Sequence, residues 1–412
     1  MFNNFNFVLL RKYIISIIIS LYVFSYILGP AVINIFITIL SLISLSFIFI
    51  NKNYLKCIKD FNNLIFLVFF LLIFFTSFFN KNLNFELLSF LRIVLIYFGI
   101  SFFSKKFIDN QVHNFKLIFC FLGIISIDCI YQYFIGHNIL GYEKYDHIRL
   151  TGIFEDEPII GSFLMKIVIP VVWLFFISKK IIFYLTIFIT TTIIAITFSG
   201  ERMPLLQMLF AFFIIFMIMI INKSKKVLYF FLIIPFIILN IIFSDSVSQR
   251  VLTTFSNISD LTKNLILKNE IDNKSSVNEY FMNFNSGIYL WKENKYFGGG
   301  YRYYKNECSN KFIKGMENYC STHPHNIYIE ILSDYGLIGL LIFIIFLFNL
   351  SYIFWKSTYS YINLGIFIVF IITSVPFVTS QSIFSSYYGS IYFLSIFILK
   401  YLITYNKKFI NY

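Results

Sequence analysis

Charge is scarce in this 412-residue chain, where only 13% of the residues are Asp, Glu, Lys or Arg. Soluble domains carry about 25% charged residues, so the composition excludes an ordinary soluble enzyme. Hydrophobic residues make up 58% of the chain, and phenylalanine alone occurs 56 times. The composition therefore predicts an all-α polytopic membrane protein.

Cysteine is scarce as well, with five residues in the whole chain. Two of them, Cys308 and Cys320, share one long polar stretch. If that stretch faces an oxidising compartment, the two thiols can pair as a disulfide. The alternative is a zinc site that these cysteines form with His323 and His325, since the residue types suit zinc although the cysteine spacing is loose.

Long apolar stretches organise the rest of the chain. A helix of about 20 apolar residues crosses a bilayer, and the sequence contains twelve candidates. They run near 13–29, 31–50, 62–79, 86–104, 115–135, 159–178, 181–199, 203–221, 227–243, 336–355, 361–379 and 384–405. The pattern predicts about twelve transmembrane helices, with one large loop between helices 9 and 10.

The basic residues predict how these helices are oriented. The loops and termini on one side hold 16 of the 33 lysines and arginines, whereas the short loops on the other side hold four. Basic residues concentrate on the cytoplasmic side, so both termini are predicted to be cytoplasmic. The net charge of +13 follows largely from this bias and does not indicate nucleic acid as a partner. Residues 1–243 are predicted to form a membrane bundle of helices 1–9, residues 244–335 an outward-facing loop, and residues 336–412 helices 10–12 with a cytoplasmic tail.

Arginine is rare, with six residues in a lysine-rich chain, and four of the six fall on the predicted outer side. These four are Arg149, Arg202, Arg250 and Arg302. A guanidinium binds phosphate in a planar, bidentate geometry, whereas lysine acts as a point charge. The distribution therefore predicts an anionic ligand on the outer side. The alternative is that each arginine is an ordinary surface or helix-end residue.

Arg202 stands in a short turn between two spans, two residues before Pro204. A cation so close to the membrane core usually faces a cavity or a partner, and proline suits the first turn of a helix. The N–H groups at the start of that helix would also favour a phosphate. The alternatives are a salt bridge with Glu201 or a side chain that reaches the lipid headgroups.

Two of the five histidines, His323 and His325, stand where the long outward loop meets the tenth span. His325 is followed by Asn326, which can cap a helix, and then by Gly336 and Gly339, whose spacing permits close helix packing. An imidazole titrates near neutral pH, so His325 could take a proton from a sugar hydroxyl. The alternative is a capped helix start with incidental histidines.

Acidic residues offer a second set of candidate bases. An acidic run is usually a solvated face of a loop, so these residues rank after His325. They are Glu155, Asp156 and Glu157 before the sixth span, and Glu330 and Asp334 after His325.

The pattern of His325-Asn326, nine residues, Gly336, two residues and Gly339 resembles the histidine motif of the O-antigen ligase and O-antigen polymerase superfamily. Three other segments are similar to the same family: residues 149–158, the turn at 199–202, and the stretch 291–302 with its three consecutive glycines. Twelve spans with the large loop between helices 9 and 10 also resemble the layout of this family. The resemblance covers most of the chain, and the histidine motif is its most specific part.

The resemblance implies a metal-independent, inverting glycosyl transfer, with no cofactor, on the periplasmic face of the bacterial inner membrane. The donor would be a glycan on undecaprenyl diphosphate. The acceptor would be lipid A core in a ligase, which we rank first, or a second lipid-linked repeat unit in a polymerase. Arg202 and one loop arginine would bind the diphosphate, and His325 would activate the acceptor hydroxyl. His323, Asn326 and Arg149 would support the site.

The chain departs from the family pattern at one position. Many members have a second arginine shortly before the loop tryptophan, where this chain reads Asn285-Ser286-Gly287-Ile288 before Trp291. Arg302 is the predicted replacement, and Arg250 is the next candidate.

Two other classes of protein compete with an enzyme. A transporter of polyisoprenoid lipids or polysaccharides would have inverted repeats and charged residues deep in several helices. Here no repeat is visible, and Arg92, Lys166 and Lys400 are the basic residues assigned to spans rather than to loops. A non-catalytic membrane scaffold is the third possibility, but it would not need the outward arginines and histidines.

Overall fold

The computed structural model describes residues 24–26, 28–50, 60–80, 85–99, 111–145, 149–155, 157–167, 182–221, 276–308, 320–357, 361–376, 381–385 and 388–410. Arg250, Asp156, the ninth predicted span and most of the first and sixth spans lie outside these residues. Within them the chain is helical, without β-strands and with two isolated β-bridges. In chain order the helices are α1 (Pro30–Ile50), α2 (Phe61–Phe79), α3 (Phe85–Gly99), α4 (Gln111–Ile135), α5 (Ile182–Phe198), α6 (Arg202–Ile221), α7 (Ser276–Glu293), α8 (Tyr303–Cys308), α9 (Ile327–Ser357), α10 (Tyr361–Thr373) and α11 (Tyr388–Ile410).

These helices divide into two compact units. The first unit contains α1, α2, α3, α7, α8, α9 and α11, and the second contains α4, α5, α6 and α10. Helix α9 is the centre of the first unit, because it packs against α2, α7, α8 and α11. In the second unit α5 packs against α4 and α6, and α6 packs against α10.

Helix α2 is strongly apolar in composition, and its two faces differ in burial. Phe66 and Phe69 are buried against α9, with ring centroids 5.1 Å from Phe346 and 5.6 Å from Phe343, respectively. The opposite face exposes aromatic rings, including 77% of the surface of Phe79. An exposed apolar face of this kind is typical of contact with lipid or with another protein.

Among the residues that the structure describes, two helical segments are long and apolar enough to cross a membrane, Phe61–Phe79 and Ile327–Trp355. Both leave large hydrophobic side chains exposed, as Phe79 illustrates for the first segment at 77% and Trp355 for the second at 75%. Other described helices carry shorter apolar stretches, for example Arg202–Ile218. These features agree with an all-helical membrane protein, and the number of twelve spans stays a prediction.

Helix α9 is broken at Gly336, where φ is 66° and ψ is −168°. A break releases carbonyl and N–H groups that a continuous helix would pair internally. The loop after α7 supplies their partners through four backbone hydrogen bonds: Gly299 N–H to Ser333 O (3.3 Å), Gly300 N–H to Asp334 O (2.8 Å), Leu337 N–H to Lys295 O (2.9 Å) and Ile338 N–H to Tyr296 O (3.1 Å). The predicted start of the tenth span at residue 336 falls on this break, although the helix itself begins at Ile327.

Gly336 and Gly298 allow the loop and the helix to approach this closely. A Cβ on Gly336 would overlap the backbone of Tyr296 and Phe297, and a Cβ on Gly298 would overlap the backbone of Asp334. Both glycines also have positive φ values, 66° and 69°, which favour glycine over other residues. Gly336 therefore accommodates loop backbone in this structure, rather than a neighbouring helix.

In the second unit, buried amide side chains fix the loop that follows α4. Gln132 donates from Nε2 to Thr151 Oγ1 (3.0 Å) and accepts from Gly152 N–H (2.9 Å). Asn138 donates from Nδ2 to Gly152 O (2.5 Å) and accepts from Tyr142 N–H (2.8 Å). Buried polar groups that are satisfied in this way make a loop rigid. They hold Thr151 and Gly152 in a defined position, and with them the preceding residue pair that includes Arg149.

Candidate active site

The first group of predicted site residues lies at the N-terminus of α9. Asn326 caps this helix, since its Oδ1 accepts hydrogen bonds from the N–H groups of Tyr328 (3.0 Å) and Ile329 (3.2 Å). Its Nδ2 donates to Pro376 O at 2.6 Å. His325 directly precedes this cap, so hydrogen bonds of the neighbouring residue fix the backbone next to it.

His325 has a left-handed backbone, with φ of 54°. Such a conformation costs a non-glycine residue about 1–2 kcal/mol and often occurs at functional sites. The His325 ring lies 4.2 Å from the ring of His323 (centroid to centroid), and the Nδ1 of His323 is 3.0 Å from Thr322 Oγ1. Burial lowers the pKa of His325 from its usual value of 6.5. The imidazole is therefore neutral at pH 7 and chemically able to accept a proton.

A disulfide between Cys308 and Cys320, with a Cα–Cα distance of 5.6 Å, ties this segment to α8. Cys320 packs against a buried cluster that consists of Leu290, Tyr303, Tyr304 and Cys308. Because both sulfur atoms belong to this bond, they are not available as zinc thiolates. Among the described residues, no three His, Cys, Asp or Glu side chains are grouped as they would be around a metal ion.

Arg302 lies between the glycine-rich loop and α8, and its backbone is also left-handed, with φ of 55°. Its Nη2 donates a hydrogen bond to Phe384 O at 2.9 Å. Its guanidinium carbon lies 5.5 Å from the ring centroid of Tyr301, within range of a cation–π interaction. Arg302 also acts electrostatically on Glu330, in the first turns of α9. The structure thus places Arg302 in the same unit as His325 and connects both to α9.

Glu330 and Asp334, two of the alternative candidate bases, are both buried in α9. Glu330 accepts hydrogen bonds from Ser382 Oγ and from Ile383 N–H, the latter at 3.2 Å. Asp334 Oδ1 accepts from Tyr304 N–H at 2.9 Å. Both carboxylates therefore hold neighbouring segments in place. No motif in the sequence marked Ser382, and its role depends on a contact between residues far apart in the chain.

The second group of predicted residues lies in the other unit, at the turn between α5 and α6. Helix α6 begins at Arg202, so the guanidinium stands at a helix start, as Pro204 had indicated. The carboxylate of Glu201 accepts hydrogen bonds from Gly161 N–H (2.6 Å) and Ser162 N–H (3.2 Å). These two N–H groups open the helical stretch 160–167, where a negative charge is favourable.

Desolvation raises the pKa of Glu201 to about 7. The hydrogen bonds from Gly161 and Ser162, together with the positive charges of Lys166 and Arg149, oppose this rise. Glu201 therefore changes its charge near neutral pH, next to Arg202. The sequence alone predicts Glu201 only as a possible salt-bridge partner of Arg202.

Arg149 belongs to the same unit as Arg202. It forms an isolated β-bridge with Tyr145, and its guanidinium lies 4.5 Å from the Tyr145 ring centroid. The next residue, Leu150, donates its N–H to Ser199 O at 3.2 Å. This bond joins the Arg149 segment to the turn that carries Arg202, so two of the predicted arginines lie on connected segments.

Comparison with known proteins identifies one part of the chain that contains residues of both groups. Residues 185–344 match the family model described as O-antigen ligase. The matched segment includes Arg202, Arg250, Arg302, His323, His325 and Asn326, whereas Arg149 precedes it. A search of curated proteins finds no match to the chain.

Proposed function

Because residues 185–344 match the O-antigen ligase family model, we propose that this membrane protein belongs to the O-antigen ligase and O-antigen polymerase superfamily and is an O-antigen ligase. It transfers a glycan from undecaprenyl diphosphate to lipid A core on the periplasmic face of the inner membrane. The observation that carries the proposal is the match to the O-antigen ligase model across the segment that contains Arg202, Arg302 and His325. A polymerase of the same superfamily is distinguished from it by experiment.

The reaction exchanges one bond at the anomeric carbon for another. His325 takes the proton of the acceptor hydroxyl, whose oxygen attacks the anomeric carbon of the donor glycan. The bond from that carbon to the diphosphate breaks with inversion, and the electron pair leaves on the diphosphate. Arg202 and Arg302 bind the diphosphate and stabilise the charge that develops on it, since fixed guanidinium groups are strong partners for phosphate oxygens.

Two features of the first unit support these roles. The lowered pKa of His325 keeps its imidazole neutral at pH 7, as a base requires. His325 and Arg302 both occupy left-handed backbone, and such strained residues cluster at functional sites.

Arg92 and Lys400, two of the charged residues within spans that a transporter could use, contact polar or charged side chains of neighbouring segments. Arg92 donates from Nη1 to Thr38 Oγ1 (2.8 Å) and from Nη2 to Asn34 Oδ1 (3.0 Å), which joins α3 to α1. Lys400 forms an ion pair with Asp60 at 3.5 Å. These contacts connect helices within one unit and favour a structural role for both cations.

Substitution in the native bacterium tests the proposal. His325→Ala should abolish the display of long surface glycans, because loss of a general base alone slows a reaction about 10²–10⁴-fold. Arg202→Ala should abolish it as well, because it removes a cation that stabilises the charge on the diphosphate. The level of protein in the membrane should stay unchanged. His137→Ala, at an exposed histidine in the loop after α4, is the matched control and should display normal glycans. Normal display in both site variants would refute the assignment.

A deletion strain separates ligase from polymerase. For a ligase, polymer accumulates on the lipid carrier while lipid A core carries none. For a polymerase, a single repeat unit is attached to the core. The second pattern would replace the ligase proposal with the polymerase.

A further inference from the structure

Glu330 lies at the centre of a set of contacts that links the His325 helix to Arg302. Its backbone N–H donates to Asn326 O at 2.9 Å, so it belongs to the capped first turns of α9. Only 4% of its surface is exposed. Its carboxylate accepts one hydrogen bond from Ser382 Oγ and another from Ile383 N–H at 3.2 Å.

The contacts continue from Ser382 to Arg302. Ser382 Oγ accepts a hydrogen bond from Phe384 N–H at 3.1 Å, and Phe384 O accepts one from Arg302 Nη2 at 2.9 Å. The ring of Phe384 is packed edge-on against Tyr301 and Tyr335, with centroids 5.4 Å and 5.6 Å away. The segment 382–384 is therefore fixed at both its polar backbone and its ring.

A buried carboxylate is expensive to desolvate unless several partners compensate it. Here the compensation comes from the same segment that binds Arg302, and Arg302 itself interacts electrostatically with Glu330. Hydrogen bonds in such a chain polarise and strengthen one another. The contacts of Glu330 and Ser382 therefore restrict the Arg302 side chain more than the hydrogen bond from Arg302 to Phe384 O would restrict it alone.

We propose that Glu330 and Ser382 are positioning residues for Arg302. They fix the carbonyl of Phe384, which holds the guanidinium in the orientation that binds the diphosphate of the substrate. This inference rests on the proposed function, because it assigns a diphosphate to Arg302. It also explains how an arginine at this place in the chain can serve where the arginine before Trp291 is missing.

Binding of undecaprenyl diphosphate to the full-length protein in nanodiscs tests the inference. Arg302→Ala should weaken binding about 10–100-fold, as expected for loss of hydrogen bonds to a charged group, and Ser382→Ala about 3–10-fold. The double variant should bind no more weakly than Arg302→Ala alone, since Ser382 acts only through Arg302. Ser382→Thr keeps the hydroxyl and should restore binding.

Ser385→Ala is the matched control, because the Ser385 hydroxyl lies in the same segment but accepts from Tyr388 N–H, at the start of α11. It should bind like the wild type. Losses that multiply in the double variant, or an equal loss in Ser385→Ala, would overturn the positioning role while leaving the ligase proposal intact. A wild-type protein that does not bind the probe would instead refute the proposed function and this inference with it.

Discussion

The two groups of site residues hold their charges by different means. In the first unit, Arg302 and His325 have left-handed backbone, and buried carboxylates in α9 fix the segments around them. In the second unit, Arg202 begins an ordinary helix beside Glu201, whose pKa is about 7. The first group therefore depends on backbone geometry, and the second on the charge of one carboxyl group. The two should respond differently to backbone substitutions and to pH.

Gly336→Ala should have the largest effect on stability. Alanine at φ 66° and ψ −168°, a region that is essentially restricted to glycine, costs about 1–3 kcal/mol, and its Cβ would also overlap the backbone of Tyr296 and Phe297. Backbone atoms cannot move aside without breaking the hydrogen bonds between the loop and α9, so the total loss should exceed the conformational cost. We expect a steep fall in the unfolding temperature of the detergent-solubilised protein.

Gly161→Ala is the matched substitution in the second unit. There the Cβ would meet side-chain atoms of Ser199 and Glu201, and the φ of Gly161 is not positive. Side chains adjust more easily than backbone, so the loss should be clearly smaller. Equal losses at the two glycines would show that backbone geometry does not distinguish the two units.

Local signals in the sequence predicted those features of the two groups that depend on residues close together in the chain. The helical class follows from composition, and the helix start at Arg202 follows from Pro204. The tenth span was predicted to begin near residue 336, whereas the helix begins at Ile327. Gly336 was expected to permit helix packing, whereas its contact is with loop backbone at Tyr296, forty positions earlier.

Contacts between distant segments were not predictable in the same way. Ser382 and Glu330 are separated by 52 positions, and Glu201 and Gly161 by 40. No periodicity or motif encodes such pairs, because they arise only when the helices pack. The sequence therefore predicts Arg302 as a replacement arginine, but it does not predict the segment that holds this side chain.

Glycine substitutions at the two arginines should have opposite effects on stability. Arg302→Gly should be more stable than Arg302→Ala by about 1 kcal/mol, because glycine adopts φ 55° without strain. Arg202→Gly should be less stable than Arg202→Ala by up to about 1 kcal/mol, because Arg202 is helical. Unfolding temperatures of the four variants measure both differences. The same order at both positions would mean that Arg302 is not held in left-handed backbone in the membrane.

The pH dependence of stability gives the finest distinction between the two groups. The pKa of Glu201 is raised from 4.5 to about 7 in the folded protein, so its contribution is fully present below pH 4.5 and is lost as pH rises through 7. Glu201→Gln removes this dependence and should become more stable relative to the wild type as pH rises. The nearby charges of Lys166 and Arg149 limit the size of the effect.

His325 should show the reverse dependence, because burial lowers its pKa from 6.5. Its contribution is present above pH 6.5 and is lost as pH falls through the lowered pKa. His325→Gln should therefore become more stable relative to the wild type as pH falls. Unfolding temperatures of the two variants and the wild type between pH 4.5 and 8 provide the comparison, and their difference curves should slope in opposite directions. Any effect of pH on the whole protein cancels when the unfolding temperature of the wild type is subtracted from that of each variant. Difference curves that run parallel would therefore mean that Glu201 and His325 do not lie in electrostatically distinct environments.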